Sequence, residues 1–177
     1  MMAVLDAERK PISKLQPMGI EEPEPYTSEE FTALAASYPD LRMELTREGE
    51  FVIMPPAGGE TGSRNADLTA DLVVWNRIEK TGKVFDSLTG FVLSNGAKRS
   101  PDAFWVPAAE WEALSSEGRQ QFLPLCPSFV IELRSRTDRL STVQENMCEY
   151  RDNGARLGWL LDPKRLQTRF LLTQVIV

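Results

Sequence analysis

Apolar and polar positions repeat along this chain with two different periods, and the switches between them divide it into elements. The first 26 residues show neither period. Pro11, Pro17, Pro23 and Pro25 alternate there with Glu21, Glu22 and Glu24, which predicts a flexible or surface-draped lead-in to a single domain over residues 27–177. Thr27 and Glu30 have capping-box spacing, and Phe31, Leu34 and Ala35 supply an apolar stripe, so a short helix is expected over residues 28–37, stopped by Pro39. Residues 41–45 and 51–56 read as two strands of a hairpin around the acidic turn REGE. A glycine-rich bend at 57–62 then precedes a long helix in which Leu68, Leu72, Trp75 and Ile78 recur at helical spacing, closed by Gly82.

Strands are expected next at 83–86, 89–93 and 102–106, with SNGAKRSP as a turn between the last two. Residues 107–127 look like a helical insertion between two strands that are neighbours in space. The run SFVIELR at 128–134 is an apolar strand interrupted by charge. Alternation puts Val130, Glu132 and Arg134 on one face and Phe129, Ile131 and Leu133 on the other. A helix over residues 138–152, capped by Thr137 or Asp138 and turning Leu140, Val143 and Met147 inward, ends at Asn153-Gly154. The buried strand 157–162 and a final apolar run complete the order. Together these elements predict an α+β fold with a mixed central β-sheet flanked by helices.

Composition narrows the chemistry. The chain of 177 residues contains no histidine, which excludes Ser-His-Asp and Cys-His catalysis, histidine-ligated zinc and imidazole switching. Cys126 and Cys148 form no CxxC pair and follow no leader-like stretch, so a reducing, cytoplasmic interior is expected. No apolar run reaches the length of a membrane span. The net charge of −6 is uneven: residues 1–60 hold 5 basic and 12 acidic side chains, whereas residues 131–177 hold 8 and 6. The last third is therefore the part suited to a phosphate backbone. Three of the four tryptophans (Trp75, Trp105, Trp111, Trp159) fall in apolar-periodic or strand segments and are expected in the core rather than as base-stacking platforms.

Three acids stand where a core strand does not ordinarily admit them: Glu44, Asp102 directly after Pro101, and Glu132. Were their strands adjacent, the carboxylates would converge and call for a hard divalent cation, Mg²⁺ or Mn²⁺. Each also has a plainer reading: Glu44 as a solvent-facing hairpin residue, Asp102 as a turn residue, Glu132 as a partner of Arg134 or Arg139.

The segments MELTREGEFVIMPPAGGETGSRNADL, VFDSLTGFVLSNGAKRSPDAFWV, FLPLCPSFVIELRSRTDRL and EYRDNGARLGWLLDP resemble the Uma-two family of restriction-endonuclease-like proteins, in the PD-(D/E)xK nuclease superfamily. That resemblance implies a Mg²⁺-dependent (or Mn²⁺-dependent) endonuclease that hydrolyses DNA. It implies Asp102 and Glu132 as metal ligands, the main-chain carbonyl of Leu133 as a third, and Glu44 as an auxiliary acid. The family's helix lysine falls at Asn146, four residues before Tyr150, and an amide can orient water but cannot accept its proton. Arg134 occupies the place of the superfamily's ExK lysine, either stabilising phosphoryl charge or pairing with Glu132. The apolar C-terminal run suggests either a homodimer formed through a sheet edge or a truncated and destabilised product. The alternative implied by Asn146 is a nuclease-fold domain without catalysis that serves as a binding or oligomerisation module.

Overall fold

The computed structural model describes residues 25–165 and 167–172, so most of the 1–26 lead-in and the last residues of the C-terminal run lie outside the described residues. Helix α1 (Ser28–Ser37) opens with the expected capping box, Thr27 and Glu30 satisfying each other's amides, an arrangement worth about 1 kcal/mol. Its Phe31 is fully buried against Met43 and Leu45. Strands β1 (Arg42–Leu45) and β2 (Phe51–Met54) form the expected hairpin. Gly49 turns it at φ +83°, a conformation that disfavours any side chain.

Helix α2 (Gly59–Glu79) starts inside the segment expected to be a bend, and its C-cap is Lys80 in the left-handed conformation rather than Gly82. Gly82 instead opens β3 (Gly82–Asp86), where a Cβ would lie 2.2 Å from the Val106 carbonyl oxygen. Strands β4 (Phe91–Val92), β5 (Lys98–Arg99) and β6 (Ala103–Pro107) follow. The SNGAKRSP segment is thus more than a turn, because its Lys98 and Arg99 pair with β4 and β1. Within the 107–127 insertion only α3 (Ala108–Ala113) is α-helical, with a short 3₁₀ turn at Gly118–Gln120. Strand β7 (Phe129–Leu133), helix α4 (Leu140–Asp152), strand β8 (Leu157–Asp162) and strand β9 (Gln167–Leu172) complete the described chain. The N-cap of α4 is Arg139; the Asp138 carboxylate accepts from the Ser135 amide instead.

Two sheets result. The larger has the order β3-β6-β7-β8-β9, antiparallel except for the parallel β7–β8 pair, and is the mixed sheet expected. The smaller, β2-β1-β5-β4, is wholly antiparallel and was not anticipated as a separate sheet. On one face of the larger sheet, Phe129 and Ile131 meet Leu68 and Leu72 of α2; on the other, Val130 meets Val143, Met147 and Tyr150 of α4. The alternation read from SFVIELR is thereby realised, and Glu132 belongs to the α4 face. Helix α2 buries less than its periodicity suggested. Ile78 is 73% exposed and Trp75 41% exposed, although Trp75 packs edge-on against Trp105 of β6.

Candidate functional site

The central strand of the larger sheet, β7, brings Glu132 to its carboxyl end, and β6 beside it begins one residue after Asp102. The Leu133 amide donates to Asp102 Oδ2 at 2.8 Å, which ties the two strand ends together and sets the acids side by side. Asp102 Oδ1 accepts from Asn65 Nδ2 of α2 at 3.0 Å, with the Arg42 guanidinium 3.6 Å away. Glu132 Oε1 accepts from the Tyr150 hydroxyl at 2.6 Å.

The electrostatics of the two acids differ. Part of Glu132 remains accessible, yet burial of its carboxyl, reinforced by the Asp102 charge and more weakly by Glu44, pushes it well above the usual carboxylate range against the opposing Tyr150 bond. Burial and the neighbouring Glu132 likewise push the Tyr150 phenol well up. Tyr150 is therefore a neutral donor. It orients Glu132 without cancelling its charge.

Glu44 is buried on the small sheet and turns elsewhere. Oε1 accepts from the Ser100 amide at 2.8 Å and Oε2 from Arg99 Nη1 at 3.1 Å, while Arg99 Nε donates to Glu149 of α4 at 2.7 Å. Burial raises the Glu44 carboxyl, and the Arg99 charge opposes that rise. Through Ser100, Glu44 fixes the backbone leading into Pro101 and Asp102, and Arg42 does the same from the other side by donating to the Ser100 carbonyl. Glu44 therefore shapes the Asp102 loop more directly than it offers a free oxygen.

Arg134 pairs with Asp162 rather than with Glu132. Nη1 bonds Asp162 Oδ2 of β8 at 2.8 Å, and Nε and Nη2 both reach the Asp138 carbonyl, at 3.2 and 3.1 Å. Burial works to raise Asp162, but the Arg134 bond and charge outweigh it and hold the carboxyl below its ordinary value. Asn146 is half-buried one turn before Tyr150 on α4, closer to the carboxyl end of β7 because the helix runs back along the strand. Cys126 is half-buried against the core, and burial pushes its thiol up to about 12, far from reactive.

Asn65, Arg42 and Arg99 were not anticipated as site residues. A signal for Asn65 existed: it stands three and seven residues before Leu68 and Leu72, so the inward stripe of α2 begins with an amide. Arg99 was hidden because its segment read as a turn.

Among the described residues no group of three or more Asp, Glu or Cys side chains gathers closely enough to hold a metal by itself. What assembles is a pair, Asp102 and Glu132, with the Leu133 peptide and the Asn65 amide beside it. The two acids offer carboxylate oxygens, and the Leu133 peptide and the Asn65 side chain each also carry a carbonyl oxygen, so the set fits a hard divalent cation and does not fit zinc.

A family model described as "Uma2: Putative restriction endonuclease" matches residues 28–173. The chain belongs to this family. The Uma2 fold recurs in a solved structure, "a putative nuclease belonging to DUF820" from Anabaena variabilis ATCC 29413. It is 17% identical with a TM-score of 0.71, covering 85% of this chain and 82% of that one. No curated protein matches the Uma2 chain. Among its described residues no helix is long and apolar enough to cross a membrane.

Proposed function

We propose that this Uma2 chain is a divalent-cation-dependent endonuclease that hydrolyses phosphodiester bonds in DNA. The observation that carries the reading is the Asp102–Glu132 pair: two acids on adjacent strand ends, joined through the Leu133 amide, with Glu132 hydrogen-bonded among the described residues only to a neutral phenol. Such a pair is costly in the metal-free chain and favourable around a cation. Asp102, Glu132 and the Leu133 carbonyl would hold Mg²⁺ or Mn²⁺, which when bound supplies activation of the attacking water and neutralisation of phosphoryl charge. Tyr150 orients Glu132, Arg42 and Ser100 hold the Asp102 loop, and Asn146 orients water without accepting a proton.

The substrate side is cationic. Arg136 and Arg139 in the loop after β7 and Lys164 and Arg165 in the β8–β9 turn are all exposed, and Lys164 Nζ bonds the Arg136 carbonyl at 2.5 Å. This margin suits a phosphate backbone. A cytoplasmic setting accords with two free thiols, and pairing of two copies along the open edge of β9 is the assembly proposed. A second reading, a nuclease fold kept as a binding module, is favoured by the engagement of Arg134 with Asp162, which leaves no free cation at the ExK position.

Supercoiled plasmid incubated with Mg²⁺ or Mn²⁺ separates the two. Nicking by the wild type that falls about a thousandfold in Asp102→Ala supports the enzyme. Nicking that survives in Asp102→Ala, or none in the wild type, overturns it.

A further inference from the structure

Asn65 approaches Asp102 from α2, and the carboxylate decides which end of the amide faces it. Nδ2 donates to Asp102 Oδ1 at 3.0 Å, so the carbonyl oxygen is directed elsewhere. That Oδ1 atom is buried and has no hydrogen-bond partner among the described residues. An acceptor left so costs about 1–3 kcal/mol. A second observation concerns access: Asn65 and Asp102 both line an open groove of about 520 Å³ between α2 and the end of β3, together with Thr69, Arg77, Asp86 and Ser87. The groove leads a solute to the two side chains already bonded to each other.

We infer that Asn65 is a further oxygen ligand of the divalent-cation site, its Nδ2 holding Asp102 in place and its Oδ1 turned to the ion. The inference rests on the nuclease reading of the Asp102–Glu132 pair and extends it to a residue on a different element. A neutral amide oxygen suits the place. It completes a hard-cation shell without adding a third negative charge to two acids that already repel each other. Helix α2 thereby joins the site to the groove, so the wall along which a substrate strand would lie and the ion would be set by one rigid element.

The test is Mn²⁺ affinity by calorimetry and the melting temperature of the metal-free chain, on wild type, Asn65→Ala, Asn65→Asp and Asp102→Asn. Conversion of Asn65 to Ala should lower Mn²⁺ affinity by at least about tenfold to a hundredfold, a loss that its hold on Asp102 alone could give, so Asn65→Asp carries the distinction. Asn65→Asp should bind Mn²⁺ at least as tightly as the wild type while melting lower without metal, because the new carboxylate faces Asp102. A purely structural amide gives another pattern: both variants melt differently, but bind Mn²⁺ as the wild type does. That pattern, with affinity lost only in Asp102→Asn, overturns the inference and leaves the nuclease reading standing. Absence of Mn²⁺ binding in the wild type removes both. Should Asn65→Ala fail to fold, Asn65→Asp decides alone, since an affinity below that of the wild type would exclude position 65 from the shell.

Discussion

Each of the two sheets carries a glutamate that is largely buried, Glu44 on β1 and Glu132 on β7, and the two acids differ in what was placed opposite them. Glu44 on the small sheet meets a guanidinium and a backbone amide, both its oxygens satisfied. Glu132 on the large sheet meets a phenol and, across the strand end, another acid. Burial raises both carboxyls. The two glutamates differ in their direct partner: Glu44 is hydrogen-bonded to its own arginine, while Glu132 is bonded to a neutral donor and is the more available of the two to a cation from solution.

The sharpest way to break this contrast is to neutralise each acid's side in turn. Glu132→Gln should reduce plasmid nicking about a thousandfold or more, equivalent to about 4 kcal/mol of lost transition-state stabilisation. Its metal-free melting temperature should stay level or rise, because a buried charge that repels Asp102 has gone. A fall of many degrees would show Glu132 to be structural. Arg99→Leu should do the reverse. It strands Glu44 and Glu149 without their shared cation, and breaking a buried pair costs about 3–5 kcal/mol. Urea denaturation that finds less than about 1 kcal/mol would show that Glu44 is neutral at working pH and the triad immaterial.

The arrangement of the acids was only partly legible in the chain. Strand β7, the face on which Glu132 lies and the inward stripe of the helix that follows came from period-two alternation and period-3.6 spacing, since those patterns record which side is buried; which face that helix covers did not. The partner of Arg134 did not follow. Alternation assigns a face, whereas Asp162 is reached sideways, across the parallel β7–β8 pairing, and nothing local encodes which strand lies alongside. Strand β5 was missed for a related reason: two residues carry no period, and Lys98 and Arg99 become strand only by pairing with β1 and β4. The buried Lys98 shows how far tertiary context can override composition, its ammonium donating to Ser28 and Thr32 of α1 over the Phe31 ring.

Acid titration offers a subtler separation. Glu132 binds its proton more tightly in the folded chain than in the unfolded one, so its contribution to stability is complete below the ordinary carboxylate range and is lost as pH rises through the raised value. Glu44 has the same sign. Asp162, held low by Arg134, has the opposite sign: its contribution is present above the ordinary aspartate value and is lost as pH falls through the lowered one. The metal-free chain should therefore lose melting temperature as pH climbs above the ordinary carboxylate range, and Glu132→Gln should flatten that decline more than Glu44→Gln does. Saturating Mn²⁺ should flatten it too, since the ion takes the proton's place. An unchanged slope in Glu132→Gln would mean that its carboxyl titrates normally.

The smallest expected effect tests the contrast from the other direction, by giving Glu132 the kind of partner Glu44 already has. Position 146 lies one helical turn from Tyr150, on the part of α4 that runs back along β7. Asn146→Lys should place an ammonium near the acid pair, where it can lower the proton affinity of Glu132 and stabilise phosphoryl charge. Nicking should rise about tenfold, or about 1.4 kcal/mol, and the alkaline decline of metal-free stability should soften as Glu132 returns toward its ordinary range. The two readouts must move together if the ammonium reaches the pair. A softened decline without faster nicking would place the new charge beside Glu132 but away from the reacting phosphate, and no change in either would show that this face of α4 points past the site, leaving Tyr150 as the helix's sole contribution to it.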